Sequence, residues 1–174
     1  MVIESVKSEY QRYKSLAELA ISQVSDDCLH QVLGEDNNSI AVVMKHIFGN
    51  LKSRFTNFLD DDGEKPWRGR DKEFEEGFEN RTELLKNWDE SWEILFDQLD
   101  SLKDSDLTKV VRIRNKELSV LDALERSLAH VSYHVGQIVL MARIHVGRDW
   151  KSLSIPRGKS QEYGLNPTRE RQPK

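Results

Sequence analysis

SVLDALERSLAHVSYHVGQIVLMARIHVG, Ser119 to Gly147, decides the fold class. Val120, Leu124, Val131, Val135 and Ile138 fall on one stripe at the helical period. Ser119 stands where an N-cap belongs and Gly147 where a helix stops, so the spacing predicts a helix from Val120 to about Val146. Two of the chain's 5 histidines sit on its flank. His134 lies about 40° to one side of Val120 and His130 about 40° further. Ala123, Ser127 and Met141 share that flank, so the surroundings are small or soft.

Upstream, the chain reads as more amphipathic helices. Ile3, Val6, Tyr10, Tyr13, Leu16, Ala17, Ala20 and Ile21 predict a first helix over Val2–Val24. "SDDCLHQVLG" follows as a short helical turn capped by Ser25 and stopped at Gly34. Ser39 caps a second helix, Ile40 to about Leu59, with Ile40, Met44, Ile47, Leu51, Phe55 and Phe58 on the core face. "DDDGEKPWRGRDKEFEEGF" interrupts as a long acidic connection, expected to be a solvated loop. A third helix, about Thr82–Leu102, carries Leu84, Leu85, Trp88, Trp92, Leu95 and Leu99, with the tryptophan pair read as buried anchors. Val110, Val111 and Ile113, then "RNKE", then Leu118–Val120 suggest a small β-hairpin before the fourth helix. The expected fold is therefore all-α, a four-helix bundle with a long connection between helices 2 and 3. Residues 1–164 form the domain, and residues 165–174 a flexible basic tail.

Composition narrows the function. With 174 residues, 37% hydrophobic and 32% charged, the chain suffices for one domain with a real core. The formal charge of −4 gives no general pull toward nucleic acid. No apolar run approaches the ~20 residues needed to span a bilayer. A lone cysteine, Cys28, rules out an internal disulfide framework and fits a reducing compartment. The expectation is a cytoplasmic protein with neither nucleic-acid nor membrane partners.

Histidines four apart on a helix point two imidazoles at one spot, the arrangement a divalent ion needs. Two known patterns fail. A zinc protease of the HExxH type needs Glu where Val131 stands, and a di-iron carboxylate bundle needs Glu where Ser127 and Val131 stand. Two histidines do not complete a site, so a third ligand is needed. His145 is about 16 Å further along the helix than His134. His30 lies in the short turn, while His46 lies on the second helix in an uncharged polar stripe with Ser39, Asn50, Ser53 and Asn57. Such a stripe suits a partly closed, wet cavity, which makes His46 the better candidate.

"NSIAVVMKHIFGNLKSRF" followed by "LAHVSYHVGQIVLMAR" and "WKSLSIPRGKS" resembles the DinB/YfiT-like superfamily of metal-dependent four-helix bundle proteins, and within it a small bacterial subgroup of unknown function. The resemblance covers nearly the whole chain. It implies a three-histidine metal site at His46, His130 and His134, a long crossover between helices 2 and 3, and a homodimer. Some members are thiol transferases, so it also implies a transferase that uses a low-molecular-weight thiol on an electrophilic small-molecule substrate. The metal itself is open: three neutral nitrogen ligands favour zinc or nickel and also accept iron, copper or cobalt.

Beyond the ligands, Asn50 and Gln137 are candidates to hydrogen-bond the imidazoles. Arg157 and Lys159 are candidates to hold a substrate carboxylate. No residue is assigned a catalytic proton-transfer role. The alternative is a non-catalytic, metal-stabilised structural or interaction protein.

Overall fold

The strongest local signals become helix ends in the computed structural model, which describes residues 1–75 and 80–167. Chain order gives α1 (Val2–Ile21), α2 (Asp26–His30), α3 (Ile40–Phe55), α4 (Arg81–Ser101), a hairpin of β1 (Val110–Ile113) and β2 (Lys116–Ser119), α5 (Val120–Val146) and α6 (Ser160–Leu165). Ser25, Ser39 and Ser119 each accept the backbone N–H three residues on, as capping requires. Asp122 returns the bond to the Ser119 N–H, completing a capping box. Gly147, at φ 63°, ends α5 in a conformation that favours glycine.

Two helices end earlier than the sequence predicts, the first at Ile21 rather than Val24. The second helix ends at Phe55 rather than near Leu59, because Asn57 turns the chain at φ 50°. The first helix has no capping side chain of its own. Asp104, just beyond α4, accepts from Val2 N–H at 2.9 Å and Ile3 N–H at 3.1 Å.

Four long helices, α1, α3, α4 and α5, share one core. α1 packs chiefly on α5 and also touches α4, while α3 packs on both α4 and α5. Tyr10, Trp88, Trp92, Leu51, Leu124 and Ile138 are fully buried within it. Trp88 and Trp92 sit 5.3 Å apart, as anchors rather than a ligand platform. The hairpin pairs Val110 with Ser119 and Ile113 with Lys116. Arg114 and Asn115, at φ 55° and 58°, make its two-residue turn of the primed type.

Most described residues of the long connection after α3 are exposed, as its acidity leads one to expect, but Gly63, Lys65, Arg68 and Glu73 are buried against the bundle. Gly63 N–H donates to the Arg112 carbonyl at 2.8 Å, and Asp62 accepts from the N–H groups of both turn residues. Ser53, fully buried on α3, donates to the Gly63 carbonyl at 2.6 Å. The connection is thereby laid along the polar stripe of α3, of which Ser39, His46, Asn50 and Ser53 are buried while Asn57 stays exposed. The last residues of the expected basic tail, 168–174, lie outside the described residues. No helix among the described residues is long and apolar enough to cross a membrane.

Candidate metal centre

α3 contributes His46 and α5 contributes His130 and His134; their ligand nitrogens lie within 4.8 Å of one another. The ring centroids are 5.0, 4.8 and 4.5 Å apart. His46 is buried and the other two are half-buried. His46 Nε2 lies 3.0 Å from His130 Nε2, close enough for both nitrogens to sit at about 2.0–2.1 Å from one ion.

The proton positions follow from the partners. His46 Nδ1 is 2.9 Å from a Glu73 carboxylate oxygen, which can only accept, so the proton is on Nδ1 and the Nε2 lone pair is free. His134 Nδ1 is 2.7 Å from Gln137 Oε1, which fixes the same tautomer. In the metal-free molecule the 3.0 Å contact then requires His130 to carry its proton on Nε2. That leaves His130 Nδ1 buried without a hydrogen-bond partner among the described residues. Shifting that single proton to Nδ1 turns all three Nε2 lone pairs into ligands. The residues present therefore fit a divalent ion.

Electrostatics favour the neutral imidazoles such a site needs. Burial, reinforced by His134, His46 and two nearby arginines, pushes His130 down to about 3. Burial also lowers His134, against a partial opposing effect of the Gln137 hydrogen bond. Burial works against the ionised form of Glu73, yet hydrogen bonds from His46 and Arg68 outweigh it and hold the carboxyl below its ordinary range. Neither His130 nor His134 must lose a proton before binding a metal near pH 7.

Glu73 and Arg68 were not found from the sequence. Both come from the connection, in the short 3₁₀ turn Asp71–Phe74 and just before it. Arg68 donates to the two Glu73 oxygens at 2.6 and 2.9 Å, forming a buried fork. The chain Arg68–Glu73–His46 orients the imidazole from behind, as carboxylates commonly do for metal-bound histidines. Phe74 lies against the His46 ring at 4.9 Å.

The other sequence candidates are placed as follows. Gln137 touches His134 as described. Asn50 lines the cavity beside His46 and His130. His30 is outside the cluster, and His145 is in the last turn of α5. Arg157 and Lys159 are exposed, do not line the cavity, and Lys159 pairs with Glu162 at 2.7 Å. Tyr133 is exposed, with its ring edge toward His134 at 5.0 Å. Gly136, exposed on α5, leaves open space around it: a Cβ there would meet nothing within 4 Å.

Comparison with known families adds one result. The family described as "Protein of unknown function (DUF1572)" matches residues 1–159. The chain belongs to that family. No curated protein and no solved structure matches it. All three histidines of this DUF1572 protein, and the Arg68–Glu73 pair behind them, lie inside the matched region.

Proposed function

We propose that this protein is a divalent-metal-dependent enzyme of the DinB-like four-helix bundle type, transferring a low-molecular-weight thiol to an electrophilic small molecule. The observation that carries the reading is the convergence of three imidazoles, with the outer nitrogens of His46 and His134 occupied by Glu73 and Gln137. Three neutral ligands leave the ion its full charge and leave positions open for a reactant. A divalent ion bound there supplies a Lewis acid that lowers the pKa of a thiol. The protein's own part is to keep His130 and His134 neutral, to fix the tautomers of His46 and His134, and to lay the connection along α3. In the overall reaction the thiol loses its proton, sulfur bonds to the electrophilic carbon, and the leaving group departs with its electron pair.

Zinc or nickel suits the donor set best, with iron, copper or cobalt as the alternatives. The experiment is metal content by elemental analysis on untagged protein, wild type beside His134→Ala. About one ion per chain in the wild type, largely lost in the variant with helicity retained, is the expected result. No metal after reconstitution with zinc or nickel sinks the reading. The non-catalytic alternative predicts metal binding and a melting shift on chelation with no thiol turnover. A homodimer is part of the proposal and rests on the superfamily resemblance. Light scattering on the eluting size-exclusion peak should give twice the chain mass, and the mass of one chain would remove that part.

A further inference from the structure

Beside the histidines lies a cavity of about 170 Å³ with His46 and His130 in its wall. Four arginines line it, and each comes from a different element: Arg54 from α3, Arg70 from the connection, Arg114 from the hairpin turn and Arg126 from α5. Among the described residues, no carboxylate lines it. Glu64, outside the lining, lies 3.4 Å from Arg54 and 3.0 Å from Arg114, a single negative charge shared by two cations. Arg70 and Arg126 have no ion pair with any described residue. Burial, together with repulsion from Arg68 and Arg114, holds the Arg54 guanidinium below its ordinary value. Arg54 is half-buried and also donates to the Gly63 carbonyl, whereas Arg70, Arg114 and Arg126 are exposed, and like charges gathered from four elements repel one another.

We propose that this cavity binds the carboxylate or phosphate group of a small anionic reactant, gripped by Arg54, Arg70, Arg114 and Arg126 with its other end toward His46 and His130. Guanidinium forks match planar or tetrahedral oxyanions, and a partly enclosed site strengthens each charge-assisted hydrogen bond. Size limits the class. An apolar cavity of about 150 Å³ holds one benzene, so the enclosed portion here takes a ligand of comparable bulk and not a nucleotide. In combination with the function proposed above, on which this assignment of the reactant rests, the thiol is a short-chain acid.

The anion site is tested first on chelator-treated, full-length protein with inorganic phosphate as the probe, at constant ionic strength. Melting temperature should rise with phosphate and saturate. In the double variant Arg70→Gln, Arg126→Gln the half-saturating concentration should increase about tenfold or more, as expected for losing charged hydrogen bonds. No rise in the wild type, or an unchanged response in the variant, overturns the anion site. Cobalt-loaded protein then separates the two readings through its absorption spectrum. With 3-mercaptopropionate and 2-mercaptoethanol as paired probes, the charged thiol should bind about tenfold more tightly. Equal binding of both thiols overturns the anion site and leaves the thiol reading standing. Phosphate binding that depends on the arginines, with neither thiol altering the cobalt spectrum, supports the anion site and overturns the thiol reading.

Discussion

Glu73→Ala should lower the unfolding free energy of the metal-free protein by about 3–5 kcal/mol, the range for removing one partner of a buried ion pair. The size follows from what remains. Arg68 has a side chain 2% exposed, and its Nη1 already lacks a partner among the described residues. Without the carboxylate, a guanidinium that cannot deprotonate stays in the interior with neither water nor counter-charge. His46 also loses the acceptor that fixes its tautomer, so metal affinity should fall by about 10–100-fold in the same variant. Urea unfolding at pH 7 and a competitive zinc titration measure the two effects separately. The double variant Arg68→Ala, Glu73→Ala should be less destabilised than Glu73→Ala alone, since no buried charge is then stranded. A loss below about 1 kcal/mol in the single variant would show that Arg68 finds water or another partner, and that the pair is peripheral.

The contrast between what the sequence announced and what it hid has a physical basis. Ser25, Ser39 and Ser119 could be read as caps because a cap acts within its own first turn. The hairpin could be read because its strands and turn are contiguous. His130 and His134 announced themselves through an i, i+4 spacing, and the uncharged stripe of α3 pointed to His46 and a closed cavity. Glu73 could not be found in this way. It reaches His46 across 27 residues, from a connection without periodicity, and nothing local distinguishes it from the acidic residues around it. The basic residues show the same division. Arg157 and Lys159 drew attention because they sit close together in sequence, yet neither lines the cavity. The arginines that do line it are spread from residue 54 to residue 126, one per element, and only tertiary packing assembles them.

Gly49→Ala should be the most damaging single-methyl addition on α3, costing about 3 kcal/mol or more and weakening metal binding with it. Alanine normally stabilises a helix interior relative to glycine by about 0.5–1 kcal/mol. Here the added Cβ would overlap Glu73 Oε1 and lie 3.0 Å from its carboxyl carbon. A carboxylate at the end of a free side chain would swing aside at little cost. This one is held by Arg68 on both oxygens and by His46 on one, in a place where moving it strands a buried cation. Gly49 thus exists to let Glu73 approach from behind His46, one turn from the ligand it orients. Gly136→Ala on α5 is the matched control. A Cβ there meets nothing within 4 Å, so that variant should be as stable as the wild type or slightly more so. Denaturation midpoints for the two variants, measured with and without zinc, decide the point. A Gly49→Ala protein that matches Gly136→Ala in both stability and zinc affinity would mean that Glu73 yields freely, and that His46 is not held by it.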